Sequence, residues 1–432
     1  MSTATTHIDN KPSLQASHCE DGGRSKRKQS HSLAPALRFK DFNGDWNESR
    51  LNDVAEFKKG KGISKADISE DGVLECIRYG ELYTTYTELI QDIVSKTNLL
   101  AKDLILSEFN DVIIPASGEL NIDIATASCV LKSGVAYSGD LNIIRSKMDG
   151  IFLSFYLNNK RKFDIARLAQ GVSVVHLYSS QLKTLKLNFP PLLEQQKIAS
   201  FLSAVDEKIQ QLTKKKALLE DYKKGVMQQL FFGQLRFKDE NGKDYPDWEE
   251  KRLDAMISKF VVPMRDKPKE LKGEIPWCRI EDFNGKYLSS SKSGQGVSLE
   301  TVKKMNLKVY PIGTLLVSCS ANLGFCAITE VELITNQTFI GLVPDNKKVD
   351  VLYLLYVMRM MARQLNILSS GTTISYLSRQ QFEKFKVPYS SLKEQQKIAT
   401  YLSGIDTKIE AVNSQITQTQ TFKKGLLQQM FV

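Results

Sequence analysis

Two stretches of the chain have their apolar residues spaced alternately by four and three positions. In the first stretch these residues are Ile198, Leu202, Val205, Ile209 and Leu212. In the second they are Ile398, Leu402, Ile405, Ile409, Val412 and Ile416. This spacing predicts two long helices, each with an apolar seam that pairs with another helix as in a coiled coil. Polar residues interrupt both seams, at Lys216 and Thr419, and we predict that the apolar rows resume out of phase at Leu219, Tyr222, Val226 and Leu230, and at Phe422, Leu426 and Met430.

The two stretches are copies of one another. The segment Glu-Gln-Gln-Lys-Ile-Ala at 194–199 returns unchanged at 394–399, an offset of 200 residues (394 − 194). Lys-Lys-Gly at 223–225 and Gln-Gln at 228–229 recur at the same offset. Two unrelated amphipathic helices, each packed on its own domain, are the alternative, but they would not require identical residues at a fixed spacing. The repeat therefore indicates a tandem duplication.

A glycine stands at the same point of both predicted helices, Gly225 in the first and Gly425 in the second. Glycine inside a helix costs about 1 kcal/mol relative to alanine. We therefore predict a close backbone approach there, either between the two helices or to a partner subunit. Simple tolerance of glycine is the alternative.

The path of the chain predicts how the helices pair. The first helix, which starts near Pro191, is roughly 60 Å long at about 1.5 Å per residue. The folded segment that joins the helices is roughly 40 Å wide. It can join the end of the first helix to the start of the second most easily when the helices are antiparallel. We predict an antiparallel coiled coil with pseudo-two-fold symmetry and a domain at each end.

The entry to each domain is also repeated. Leu-Arg-Phe-Lys-Asp occurs at 37–41 and at 235–239, followed by Trp46 and Trp248. These repeats predict a disordered tail (1–36), a first domain (37–190), a first long helix (191–232), a second domain (233–388) and a second long helix (389–432). Within each domain, buried strands such as 111–118 and 313–320 precede a helical pattern, at 152–169 and 351–368. Both domains are therefore predicted to be mixed α/β (α+β) folds.

Composition narrows the functional classes. The net charge is +10, of which residues 1–37 contribute +2 (five basic minus three acidic), so about +8 (10 − 2) lies beyond the tail. Such a charge favours a polyanionic partner. The six cysteines form no Cys-x-x-Cys pair, and His176 is the only histidine beyond the tail, so we expect free thiols and no structural zinc. No apolar run is long enough for a membrane span, and the start of the chain does not resemble a signal peptide, so we expect a cytoplasmic protein with no membrane partner.

Residues suited to nucleic-acid contacts occur in both predicted domains, whereas phosphate-binding loops and catalytic motifs are missing from the sequence. A glycine followed by hydroxyl or small residues at 171–177, repeated at 371–377, can leave donors free for phosphates or base edges. The alternative is a helix-capping glycine that leads into a strand. Arginine suits guanine, asparagine suits adenine and lysine suits phosphates. The candidate DNA contacts are Lys59, Lys61, Arg78, Tyr79, Ser117, Asn121, Ser173 and His176 in the first domain, and Arg265, Arg279, Ser320, Asn322, Thr372, Thr373, Tyr376 and Arg379 in the second.

These motifs together resemble the specificity (S) subunits of type I restriction–modification systems. The resemblance covers residues 37–432 and rests on Pro-Pro-Leu-Leu-Glu-Gln-Gln-Lys-Ile-Ala at 190–199, its repeat at 394–398, the two glycine loops and the order domain, helix, domain, helix. One departure is that the second helix follows a single proline, Pro388, where the first follows a pair.

The resemblance implies a function without catalysis. Each domain would recognise one half of an asymmetric bipartite site on double-stranded DNA, and the helices would set the gap between the halves. Two methyltransferase (M) subunits and the restriction (R) subunits would dock on the protein, and these partners, rather than this chain, would use S-adenosylmethionine and ATP. The alternatives are a methyltransferase or nuclease with unrecognised catalytic motifs, and a DNA-binding regulator that dimerises through its coiled coil.

Overall fold

The computed structural model describes residues 34–264, 266–320, 323–369 and 376–432 and divides into two compact units. The first unit runs to Phe201 and includes Gly425–Val432, while the second comprises Leu202–Lys424. Most of the predicted tail, at 1–33, lies outside the described residues.

A five-stranded sheet forms the centre of each unit. In the first unit the strand order is Ala55–Lys59, Leu141–Ser146, Asp111–Pro115, Ser128–Val130 and Leu89–Ile90. In the second it is Ile257–Val261, Phe339–Pro344, Leu315–Ser318, Cys326–Thr329 and Tyr287–Leu288. In both sheets the final pair is parallel and the others are antiparallel. The shared order confirms the predicted mixed α/β class and shows that the duplication extends to parts where the sequences barely match.

Smaller sheets complete each unit. In the first unit a four-stranded sheet has the order Ser95–Thr97, Leu74–Ile77, Ala136–Tyr137 and Ile105–Leu106. Two strand pairs accompany it: Asn47–Arg50 pairs with Lys186–Phe189, and Ser117–Gly118 pairs with Val175–His176. In the second unit a three-stranded sheet has the order Gly296–Val297, Ile275–Cys278 and Ile334–Thr335. One strand pair accompanies it, Glu249–Arg252 with Lys386–Tyr389.

The short helices lie mostly between strands. Those of the first unit are Leu51–Val54, Glu81–Thr84, Asn121–Ile124, Gly150–Asn159, Lys162–Leu168 and Ser179–Leu182, with 3₁₀ turns at Lys65–Asp67 and Ala101–Asp103. Those of the second are Leu299–Met305, Val351–Met360, Ala362–Ser369 and Arg379–Lys384, with 3₁₀ turns at Leu253–Ala255 and Ile280–Asp282. Each helical pattern predicted as one helix, at 152–169 and 351–368, is thus broken into two, although neither break contains proline or glycine.

The long helices span Leu192–Phe231 and Leu392–Gln429. The carbonyl of Pro191 accepts hydrogen bonds from the backbone of Glu194 and Gln195, and Ser391 does the same for Gln395. The single proline before the second helix therefore does not move its start, because Ser391 takes the place of Pro191.

The seam of both helices keeps one phase throughout, so the predicted phase shift is wrong. The seam positions 212, 216, 219, 223, 226 and 230 of the first helix are all buried or half-buried, as are positions 412, 416, 419, 423, 426 and 430 of the second. Lys216 and Thr419 occupy seam positions, whereas Tyr222 and Phe422 are exposed. Of the seam residues predicted before the two interruptions, Ile209, Ile409 and Ile416 are half-buried and the other eight are buried.

Three polar contacts in the second unit establish that the helices are antiparallel. Lys423 Nζ lies 2.7 Å from Asp206 Oδ1, Lys216 Nζ 2.9 Å from Asn413 Oδ1, and Lys223 Nζ 2.6 Å from Asp406 Oδ1. As the residue number rises on one helix it falls on the other, with a constant sum (206 + 423 = 216 + 413 = 223 + 406 = 629). Two of these pairs are related by the 200-residue repeat, so the predicted pseudo-two-fold symmetry of the helix pair is confirmed.

Asp406 lies at the centre of a polar cluster. Besides Lys223, it accepts a hydrogen bond from the Tyr356 hydroxyl (2.6 Å), and Lys286 Nζ is 3.7 Å away. Burial raises the pKa of the Asp406 carboxyl, but the hydrogen bonds from Lys223 and Tyr356 and the charges of Lys223 and Lys286 outweigh burial and lower this pKa. The cluster therefore stabilises the ionised carboxylate between the helix pair and the second sheet domain.

The two repeated glycines do not bring the helices together. A Cβ atom built on Gly225 or Gly425 would meet no atom of the described residues within 4 Å. The predicted close approach between the helices is therefore wrong, and the approach to a partner subunit stays a prediction.

The five cysteines within the described ranges are buried free thiols, as predicted. Burial raises the pKa of Cys76 to about 11, so this thiol stays neutral near pH 7. Across the same residues, none of the helices combines the length and apolar character that crossing a membrane requires, and no group of side chains could hold a metal ion.

Replacing Lys223 with methionine should lower the free energy of unfolding by about 2 kcal/mol at pH 7, because Asp406 loses its nearest cation. The lowered pKa of Asp406 contributes stability above its unfolded value, near 4, and this contribution disappears as pH falls through the folded pKa. The difference between wild type and Lys223→Met should therefore be largest near pH 7 and shrink in acid. Urea unfolding at several pH values measures it.

The matched control is Lys224→Met, because Lys224 is the exposed neighbour on the same helix. It should change stability by less than about 0.5 kcal/mol. Equal losses in both variants would contradict the assigned role of the Asp406 cluster.

Candidate nucleic-acid interface

Three loops of the first unit surround an open cleft of about 640 Å³. They follow the strands Ala55–Lys59, Leu74–Ile77 and Ala136–Tyr137. Backbone hydrogen bonds join the loops: Lys61 donates to Tyr137, Ser138 to Ile77, and Gly139 to Gly62. The cleft is lined by Gly62, Ile63, Ser64, Lys65, Asp67, Arg78, Tyr79, Gly80, Ser138, Gly139 and Asp140.

The loop that carries Lys59 and Lys61 is held tightly against its neighbour. A Cβ on Gly60 would lie 1.8 Å from the Ser138 carbonyl oxygen, so only glycine fits there. Ile63 has a φ of 55°, which is rare for a β-branched residue, and its buried side chain packs with Cys76 and Ala136. Burial of Ile63 thus offsets a strained backbone and fixes the loop.

Arg78 is tied at two points to one buried carboxylate. Its backbone N–H donates to Glu81 Oε2 (3.1 Å) and its Nε donates to Glu81 Oε1 (2.9 Å). Glu81 is only 4% exposed and also accepts a hydrogen bond from the Ser95 hydroxyl. The guanidinium is therefore held at the edge of the cleft in a defined orientation.

A row of aromatic residues continues from the cleft. The rings of Tyr79 and Tyr83 meet edge to face at 6.4 Å, and the Tyr83 hydroxyl donates to the Ser117 carbonyl (2.9 Å). Ser117 pairs with His176 across two short strands, and the His176 ring stacks on Tyr178 at 6.2 Å. Arg78, Tyr79, Ser117 and His176, which are distant in sequence, are therefore linked on one surface, although Ser117 itself is buried.

The other candidates of the first unit have different positions. Lys59, Lys61 and Ser173 are exposed, as a contact residue must be. The Asn121 side chain donates to the Ala166 carbonyl (3.3 Å), so it connects two helices. Gly171 has a φ of 133° and does not cap a helix, because the preceding helix ends at Leu168.

In the second unit, Ser320 forms a single β-bridge with Tyr376, as Ser117 does with His176 in the first unit. Arg279 follows its strand as Arg78 does, and its backbone N–H donates to Asp282 (2.7 Å). Arg379 is exposed and its Nε donates to Glu383 (2.7 Å). Four candidates lie outside the described residues: Arg265, Asn322, Thr372 and Thr373. The same holds for residues 371–375 of the second glycine loop.

Sequence reasoning missed Tyr83, Tyr178 and Glu81. Tyr83 follows Tyr79 by four residues, and Tyr178 follows His176 by two, which are the same-face spacings of a helix and a strand. These spacings were a usable signal for the aromatic row. The role of Glu81 had no such signal, because the sequence alone does not distinguish a buried glutamate from an exposed one.

The surface combines the fixed guanidinium of Arg78, the exposed Lys65 and aromatic rings. Arginine and lysine bind phosphates and guanine edges, and aromatic rings pack on sugars and bases. Such a combination favours nucleic acid over a small anionic ligand.

Comparison with known proteins agrees with this interpretation. The family described as "Type I restriction modification DNA specificity domain" matches residues 43–221 and again residues 245–419, together well over half of the chain. The chain belongs to this family. Each match includes one sheet domain and most of the long helix that follows it, so the repeating unit is a specificity domain with its helix.

Relatives from Methanocaldococcus jannaschii are named as specificity subunits. The type I restriction enzyme MjaVIII specificity subunit is 26% identical over 417 residues (90% of this chain, 94% of the relative), and the putative MjaX specificity subunit is 24% identical over 423 residues (89% and 92%). The MjaIX specificity subunit is 32% identical over 185 residues, or 42% of this chain and 43% of that protein.

Solved structures show the same fold. The S subunit of a type I restriction–modification system from M. genitalium superposes with a TM-score of 0.61 at 17% identity and covers 93% of this chain and 99% of that one. A chain from a structural study of complex assembly in the type I system gives 0.54 at 17% identity, with 89% and 96% covered. The specificity-domain fold is therefore retained at low sequence identity.

Replacing Gly60 with alanine should destabilise the first specificity domain by about 1–3 kcal/mol, because the new Cβ must displace the Ser138 backbone. DNA affinity should fall together with this stability, since the loop carries Lys59 and Lys61. Thermal unfolding and a DNA titration measure the two effects.

Gly80→Ala is the matched control, because Gly80 lines the same cleft, has a helical φ of −65°, and a Cβ there meets nothing within 4 Å. Its unfolding temperature should stay near that of wild type. A Gly60→Ala protein as stable as this control would show that the loop packing is not required.

Proposed function

We propose that this protein is the specificity subunit of a type I restriction–modification complex and recognises an asymmetric bipartite site on double-stranded DNA. Residues 37–190 and 233–388 act as its two target recognition domains, each reading one half-site. The long helices connect the domains. The family match at both repeats is the observation that carries the proposal.

The differences between the two units support an asymmetric target. Their five-stranded sheets have the same order, yet His176 stands where the second unit has Tyr376. Arg78 is held by Glu81 through its Nε, whereas Arg279 is held by Gln295 through a terminal nitrogen (2.7 Å). The two units thus share one sheet order but carry different side chains at equivalent positions. Such a difference is expected of two domains that read different half-sites.

The proposed complex places catalysis in the partners. Two methyltransferase subunits and the restriction subunits dock on this chain and use S-adenosylmethionine and ATP. The relatives are named as specificity subunits, which agrees with a protein that recognises DNA for other subunits. In this assignment the protein works in the cytoplasm, where its DNA target lies.

Exchanging residues 37–190 for the corresponding block of another family member should change one half-site and leave the other unchanged. The reason is that each recognition surface is built within one unit. Sequencing of methylated adenines, in cells that carry the exchanged protein with its methyltransferase partner, measures the recognised sequence.

The reciprocal exchange of residues 233–388 is the control and should alter only the other half-site. A change in both halves from either exchange would contradict two independent recognition domains. Methyl transfer to DNA by the purified chain alone would instead indicate that this protein is itself a methyltransferase.

The repeated glycines provide a test of partner docking. Gly225→Leu and Gly425→Leu should leave the fold intact, because a Cβ at either site meets nothing within 4 Å in the described structure. Each should weaken methyltransferase docking if the open backbone is a contact surface. Analytical ultracentrifugation of the mixed subunits, alongside unfolding curves, separates docking from stability.

Gly404→Leu is the matched control. Gly404 lies within the second long helix and has Ala204 as its counterpart in the first helix; as at the other two glycines, an added Cβ there meets nothing within 4 Å. It should not alter docking. Normal assembly of all three variants would reject the role of Gly225 and Gly425.

A further inference from the structure

The bonding of Arg78 determines which of its nitrogens can face a ligand. Its Nε and backbone N–H are both bonded to Glu81, at 2.9 and 3.1 Å. Among the described residues, none forms a hydrogen bond with Nη1 or Nη2. The side chain is 30% exposed and lines the cleft of the first unit. The two terminal nitrogens are thus available as a planar pair of donors beside an open cleft.

Glu81 fixes this arrangement rather than competing with a ligand. It is 4% exposed, and its Oε1 also accepts a hydrogen bond from Ser95. The next residue is fixed too, because the Tyr79 backbone N–H donates to the Ser138 hydroxyl (3.2 Å). Such preorganisation lowers the entropy cost of forming two simultaneous hydrogen bonds.

The equivalent arginine of the second unit is bonded differently. Arg279 donates from Nη2 to Gln295 Oε1 (2.7 Å), and its Nη1 lies 3.4 Å from Glu281. One N–H of its Nη2 is engaged by Gln295 and its Nη1 faces a carboxylate, whereas the terminal nitrogens of Arg78 have no such partners. The two units therefore differ in this donor pair.

The charges around the cleft favour a base edge over a phosphate. Asp67 and Asp140 line it together with Lys65 and Arg78, and Glu81 lies behind Arg78. Three carboxylates disfavour the full negative charge of a phosphate, whereas the guanine edge is neutral and offers two acceptors, O6 and N7. Two parallel donors match those two acceptors.

From this geometry we propose that Arg78 recognises a guanine in the major groove, through Nη1 and Nη2, in the half-site bound by the first unit. The proposal rests on the proposed function and adds the identity of one base. Because both terminal nitrogens of Arg279 already have partners within its own unit, the proposal does not extend to an equivalent arginine–guanine pair in the second half-site.

The test uses the full chain assembled with its methyltransferase partner, on DNA libraries with every position of the wild-type target varied in turn. Arg78→Lys keeps the charge but loses the planar pair of donors, and Arg78→Gln loses both. In both variants, the discrimination for one G·C pair in one half-site should fall by a factor of roughly 5 to 150. Arg279→Lys is the matched control. It should not reduce the discrimination for a guanine in the other half-site by a comparable factor.

The possible outcomes are distinct. Retained selectivity in the second half-site shows that each variant is folded. If Arg78→Lys keeps the wild-type preference at every position while Arg78→Gln weakens all sequences equally and lowers the salt dependence, Arg78 binds a phosphate and the proposal is wrong. If the wild-type complex selects no bipartite sequence, the proposed function itself fails.

Discussion

A buried carboxylate at the start of each long helix is the interaction on which the rest of the structure depends. Glu194 and Glu394 have fully buried side chains. Each is bonded to an arginine from the repeated domain entry: Arg38 Nε and Nη2 lie 2.7 Å from Glu194, and Arg236 lies 2.8 and 3.1 Å from Glu394. A buried carboxylate without such a partner costs several kcal/mol. The helix start and the domain entry must therefore fold together, which explains why both segments are repeated.

The glutamine after each glutamate completes this junction. Gln195 accepts a hydrogen bond from the backbone N–H of Asp149 (3.0 Å), and Gln395 does the same for Asp350 (3.0 Å). Each aspartate in turn caps the helix that packs on the central sheet. The repeated Glu-Gln segment thus connects the long helix to both the entry and the sheet layer. It stabilises the architecture, and none of its residues is among the candidate DNA contacts.

The sequence was sufficient for the features that depend on spacing and was insufficient for those that depend on tertiary contacts. The helices, their antiparallel pairing and the equivalence of 111–118 with 313–320 follow from periodicity and repetition. The predicted phase of the seam is wrong because Lys216 and Lys223 are polar yet hold seam positions, where their ammonium groups reach acceptors on the other helix. At the candidate site, the sequence predicts Arg78, Tyr79 and His176 as DNA contacts, but their link through Tyr83 and Ser117 depends on sheet topology.

The charged seam residues also explain why a duplicated helix pairs antiparallel with its copy. In a parallel pair in register, Lys223 would lie beside Lys423, and Asp206 beside Asp406, so like charges would repel. Antiparallel pairing places each lysine on the aspartate of the other copy, at 2.6 and 2.7 Å. Polar residues in a coiled-coil seam fix register and orientation in this way at some cost in stability. The duplication therefore specifies its own symmetric pairing, and this pairing does not depend on the side chains at which the two sheet domains differ.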